Sequence, residues 1–71
     1  MSYLVWYDES PTKTAKARIQ DAVSAYVKRF THRPLLVLVN AGDQQGVDGV
    51  EVRNDNMVQP NNVWVRLEDD D

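Results

Sequence analysis

Few residues in this chain are equipped to do chemistry, and they are scattered. The single histidine is His32, the serines are Ser2, Ser10 and Ser24, and cysteine is absent. No serine sits in a glycine-flanked nucleophile elbow, so acyl-transfer chemistry has no foothold. Lacking cysteine, the chain has no disulfide, thiolate zinc site or cysteine nucleophile. His32 stands beside Arg33 and Pro34 just past an expected helix, and it reads as a helix-end residue rather than a catalyst or ligand. The stretch Asp43-Gln44-Gln45-Gly46-Val47-Asp48-Gly49 has the look of a calcium loop. It lacks oxygen ligands at alternate positions and the bidentate glutamate that closes such a loop. Asn40-Ala41-Gly42-Asp43 leaves a strand end of the kind where α/β sheets bind ligands, but it opens no helix and has no phosphate-loop pattern. The expectation is a protein that is not an enzyme and uses no metal and no cofactor.

Charge points to a second chemistry. Residues 10–33 hold Lys13, Lys16, Arg18, Lys28, Arg29 and Arg33 against Asp21, a local balance of +5, within a chain of net charge −3. The remainder is therefore at −8, with Arg53 and Arg66 as its only cations. A basic element in an acidic protein can meet an anionic partner or an acidic patch on its own copy. If the partner is DNA or RNA, the outer helix face with Lys13, Arg18, Lys28 and Arg29 would carry the phosphate contacts. No aromatic residue interleaves them, and a pI near 4.9 opposes a phosphate backbone elsewhere. Nucleic-acid binding is accordingly the alternative reading.

The elements that must position these side chains follow from hydrophobic period. Tyr3-Leu4-Val5-Trp6-Tyr7 is apolar on both parities, which predicts an interior strand covered on both faces. Ser10 as N-cap and Pro11 at the first position predict a helix over 11–30. Its core arc is Ala15, Ile19, Ala22, Val23, Tyr26, Val27 and Phe30, and Thr31 or His32 carries the terminating turn before Pro34. Leu35-Leu36-Val37-Leu38-Val39 is a second doubly apolar run, predicted to be another interior strand parallel to the first. After a glycine-rich loop, Val50-Glu51-Val52-Arg53 and Val63-Trp64-Val65-Arg66-Leu67 alternate as half-buried strands. They are expected to form an antiparallel pair.

The reading is thus an α/β (α+β) domain over residues 1–67, two layers in the order β-α-β-β-β with one helix on a four-stranded mixed sheet. Residues 68–71, Glu-Asp-Asp-Asp, read as a disordered acidic tail. The expected sheet order is 2-1-4-3, with 3-2-1-4 open. Neither a membrane-spanning run nor a signal-peptide layout is visible, so a cytoplasmic setting is expected.

One helix covers one sheet face only. The valines of the alternating strands are its natural partners, and the opposite face then carries Trp64, Arg66, Arg53, Trp6, Leu36 and Leu38. A tryptophan flanked by inward valines and followed by arginine matches the composition of interface centres. The function expected is a small protein–protein interaction module, joining as a homodimer or binding a protein partner through that face, while in the core Ile19 and Phe30 are expected against Val37, Val5 and the valines of the two late strands.

Overall fold

A computed structural model describes residues 3–67; the acidic tail expected at 68–71 lies outside the described residues. The chain forms strand β1 (Tyr3–Tyr7), helix α1 (Ala15–Phe30), strand β2 (Leu36–Val39), a 3-10 turn (Ala41–Asp43), strand β3 (Glu51–Asn54) and strand β4 (Asn62–Arg66). One helix packs on one four-stranded mixed sheet, as the hydrophobic period predicts.

The helix begins later than Ser10-Pro11 suggested. Asp8 accepts the Ser10 N–H at 2.9 Å, and Lys13 N–H reaches Ser10 O at 3.2 Å, so residues 8–13 close a polar turn of their own. Thr14 then caps the helix, its hydroxyl accepting from Ala17 N–H at 3.0 Å. At the other end Thr31 takes the left-handed conformation (φ 61°), and its N–H returns to Val27 O.

Sheet order is the main correction. The strands run β1-β4-β2-β3, neither 2-1-4-3 nor 3-2-1-4. β1 and β2 are parallel, but β4 lies between them and pairs antiparallel with both. β3 pairs parallel with β2 and does not touch β4 as a hairpin partner. The physical reason lies at the C-terminal end of β2. Residues 55–61 are long enough to step over that end, and they are pinned there by Asn40 Nδ2, which donates to Val58 O at 3.1 Å, and by Asp43 Oδ2, which accepts Asn61 N–H at 2.9 Å. The β2–β3 crossover runs without a long helix. It packs Val47 and Val50 against the core instead. Arg33 braces its turn by donating to Asp48 O at 3.1 Å. Gly49 sits there at φ 85°, and a Cβ at that position would lie 2.9 Å from the Arg33 guanidinium.

Ile19, Ala22, Val23 and Tyr26 from α1 close on Val37, Val39, Val63 and Val65 from the two central strands. Leu4, Trp6, Val27, Phe30, Val52 and Leu67 extend this cluster at its rim. Val5 is not part of it. With the side chains of a strand alternating, Leu4 and Trp6 take the helix side of β1, and Val5 is left on the opposite face, 54% exposed.

Candidate functional site

Alternation decides what the uncovered face presents. The register Val5↔Trp64, Trp64↔Leu38 and Leu38↔Arg53 sets one residue from every strand in a single row across that face. Leu38, flanked by Trp64 and Arg53, is only 9% exposed although no helix covers it. Tyr3 leans on Trp64 with ring centroids 5.6 Å apart and planes tilted by 46°. Tyr7 completes the β1 side of the face and is 57% exposed. Its hydroxyl donates to Glu9, and that bond to a carboxylate raises its pKa, with a smaller contribution from desolvation. On β3, Arg53 pairs with Glu51, so the charges at that side of the face largely cancel.

Five of the six residues expected on this surface are therefore placed there by strand parity: Trp64, Arg66, Arg53, Leu36 and Leu38. Trp6 is the exception. It packs against the core cluster on the helix side, because residues 4 and 6 share a parity opposite to Val5. Val5 and Tyr7 take its place on the open face. Trp6 Nε1 is buried and is without an acceptor among the described residues. That ring lines a shallow groove of about 550 Å³ between β1 and α1, together with Lys13, Asp21, Ser24, Ala25 and Lys28.

The basic helix face does not assemble as expected. Arg18 is 6% exposed and turned inward, donating from Nε to Asp8 O at 2.6 Å and from a terminal nitrogen to Lys13 O at 3.5 Å. It ties the end of β1 to the turn before the helix. Lys13 precedes α1 and is engaged by Asp8 at 3.1 Å and by Asp21. Those two partners, Asp21 first, raise the Lys13 pKa. Only Lys28 and Arg29 of the four remain exposed on the helix, with Arg29 lying over the Phe30 ring. The signal for Arg18 was present: it shares a helical stripe with Ala15 and Ala22, three and four residues away.

The other chemical candidates are occupied by structure. His32 packs edge-on against Tyr26 at 5.5 Å between centroids. Asn40 caps the 3-10 turn by accepting Gly42 N–H, and Asp43 and Gln44 hold the neighbouring chain segments. Among the described residues no group of three or more His, Asp or Glu side chains converges as a metal site would need. No helix among them is long and apolar enough to cross a membrane.

Fold and surface together define a two-layer α+β protein in which no helix or second sheet among the described residues covers one face of the sheet. Comparison with protein-family models, with curated proteins and with solved structures finds no match to this chain.

Proposed function

We propose that this protein is a small non-enzymatic interaction module that associates through the open face of its sheet, with a second copy as the occupant. The observation that carries the reading is the row Val5–Trp64–Leu38, an apolar strip across three strands with Val5 more than half exposed and Tyr3 stacked on the tryptophan. Tryptophan and tyrosine beside arginine are the residues that dominate interface energetics. Burying this strip against its own symmetry mate removes apolar surface from water in both copies at once. Charge does not oppose the contact, because Glu51 and Arg53 neutralise each other and the basic helix lies on the other layer.

Light scattering over a concentration series tests this, with Trp64→Glu beside the parent. The expected outcome is a parent mass that climbs above the 8.1 kDa of one chain, and a lower mass for Trp64→Glu at matched concentration. A parent that stays at one-chain mass, or a Trp64→Glu profile that overlays the parent's, overturns the reading.

A further inference from the structure

β1 carries the pattern of an interior strand and occupies an edge. Tyr3-Leu4-Val5-Trp6-Tyr7 contains no charge, proline or bulge, the usual devices that blunt an exposed edge, yet among the described residues β4 is its only neighbour in the sheet. The hydrogen-bond phase of the strand follows from its last rung. Asp8 N–H donates to Asn61 O, so the even-numbered residues of β1 direct their backbone groups at β4. Val5 and Tyr7 then direct theirs outward.

We infer that β1 pairs antiparallel with β1 of a second copy, about a two-fold axis at Val5, joining two four-stranded sheets into one of eight strands. The axis position is set by phase. Outward-facing residues must meet outward-facing residues, and Val5 is the middle of the strand, so Val5 opposes the partner's Val5 and Tyr7 opposes the partner's Tyr3. The same register sets Leu4 against the partner's Trp6 on the helix side, at the closer spacing of a non-hydrogen-bonded pair.

A second feature, independent of the strand, selects a copy of this chain over any other β-strand. The groove beside Trp6 is walled by one face of α1 made of Asp21, Ser24, Ala25 and Lys28, spaced three and four residues apart, with Lys13 at the Asp21 end, where it pairs with that carboxylate and with Asp8. Trp6, the strand neighbour of Val5, lines this groove with Ser24 and Ala25, so an axis at Val5 falls beside that face. Rotation about it brings Lys28 toward the partner's Asp21 and Asp21 toward the partner's Lys28, with the small residues between them. The antiparallel arrangement is the one that sets Lys28 against an acidic position, Asp21 then being shared between its own Lys13 and the partner's Lys28, and strand phase demands the same arrangement. A single axis satisfies both.

This seam is distinct from the open face proposed above, and it rests on the same reading of the protein as self-associating. The edge-joined pair leaves both Trp64 residues on a continuous face.

Sedimentation equilibrium on the whole chain separates the two. In the Trp64→Glu background, where the open face is already disabled, Val5→Pro removes an outward N–H without touching the β4 ladder, and it is expected to weaken the remaining dimerisation at least tenfold while circular dichroism stays at that of Trp64→Glu. Lys28→Glu and Asp21→Lys each place like charges across the seam and are expected to weaken it when studied alone. An equimolar mixture of these two variants restores both opposite-charge contacts in a heterodimer and is expected to return association toward the parent's. Trp64→Glu is expected to fall from the parent's higher mass to that of an edge-joined dimer and no further. The edge pairing is overturned if adding Val5→Pro leaves the association of Trp64→Glu unchanged, if the mixture is no tighter than its components, or if Trp64→Glu is monomeric. That last result leaves the open-face reading standing, whereas a Trp64→Glu variant indistinguishable from an associating parent overturns the open face and leaves the edge.

Discussion

At its β3 edge the sheet ends in charge and side-chain caps, and at its β1 edge it ends in five aromatic or branched residues. β3 presents Glu51, Arg53 and Asn54, all exposed, with the first two paired. Its outward carbonyl at Val52 accepts from Gln44 Nε2 at 3.1 Å, and Gln44 Oε1 in turn accepts from Asn54 Nδ2 at 2.7 Å. That edge has been given side-chain partners from the preceding crossover. Among the described residues no side chain caps Val5, and beyond the end of β1 Arg18 holds the Asp8 carbonyl. Within one small sheet, a finished edge and an open edge stand side by side, and the open one has the composition of a strand with neighbours on both sides.

The comparison assumes that both edges hang from one core, and the largest expected effect tests that. Ile19 is fully buried at the centre of the cluster. Ile19→Ala should cost about 2–5 kcal/mol in chemical denaturation, from lost transfer energy and the cavity left behind. Amide exchange should quicken in β1 and β3 alike. Protection lost at one edge only would mean that the sheet does not open as a unit.

Next in size is Arg18→Met, which keeps much of the stem's volume and removes the guanidinium donors to Asp8 O and Lys13 O. Hydrogen bonds from a charged group are worth about 1.5–3 kcal/mol, so a loss in that range is expected. The exchange increase should concentrate in β1 and the 8–13 turn. An equal response in β3 would show that Arg18 supports the core rather than the β1 edge.

What was legible before any coordinates was governed by period. The helix arc, the four strands and the burial of Val63 and Val65 follow from spacings of 3.6 and 2 residues, which local sequence states directly. Strand order was not legible. The apolar run of β1 matches an interior strand because composition reports how apolar a strand is, and it does not report how many strands flank it. The late strands failed as a hairpin because the decisive contacts, Asn40 to Val58 and Asp43 to Asn61, each join residues 18 apart in sequence. On the open face, parity placed Trp64 and Leu38 correctly, and it misplaced Trp6 because an unbroken apolar run does not mark which parity faces inward. Val5, expected in the core, lies on the open face for the same reason.

A smaller effect sharpens the contrast from the β3 side. Gln44→Ala removes the cap on Val52 O and the bond with Asn54, and being solvent-exposed these are expected to be worth about 0.5–1 kcal/mol. Exchange should rise in β3 and the crossover while β1 is unchanged. Should self-association also increase, the capping of that edge would be shown to limit pairing.

The smallest effect is confined to acid and belongs to the turn that anchors β1. Asp8 Oδ1 accepts the Ser10 N–H, and its other oxygen pairs with Lys13. Hydrogen bonding by Ser10, through its side chain and then its backbone, together with Lys13, holds this carboxyl well below its ordinary value of 3.8. As pH falls the unfolded chain therefore takes up the proton first. The stabilisation is complete above pH 3.8 and is lost below it, down through the lower value of the folded state. Asp8→Asn keeps an oxygen for Ser10 but cannot ionise. Thermal melts should show the parent more stable than Asp8→Asn at neutral pH, with the gap closing as the pH drops past that point. Solvent around the carboxylate and Lys13 limits the size of the gap. A gap constant down to about pH 2 would mean that the Asp8 charge does not anchor the end of β1, and that Arg18, through the backbone carbonyl, holds it alone.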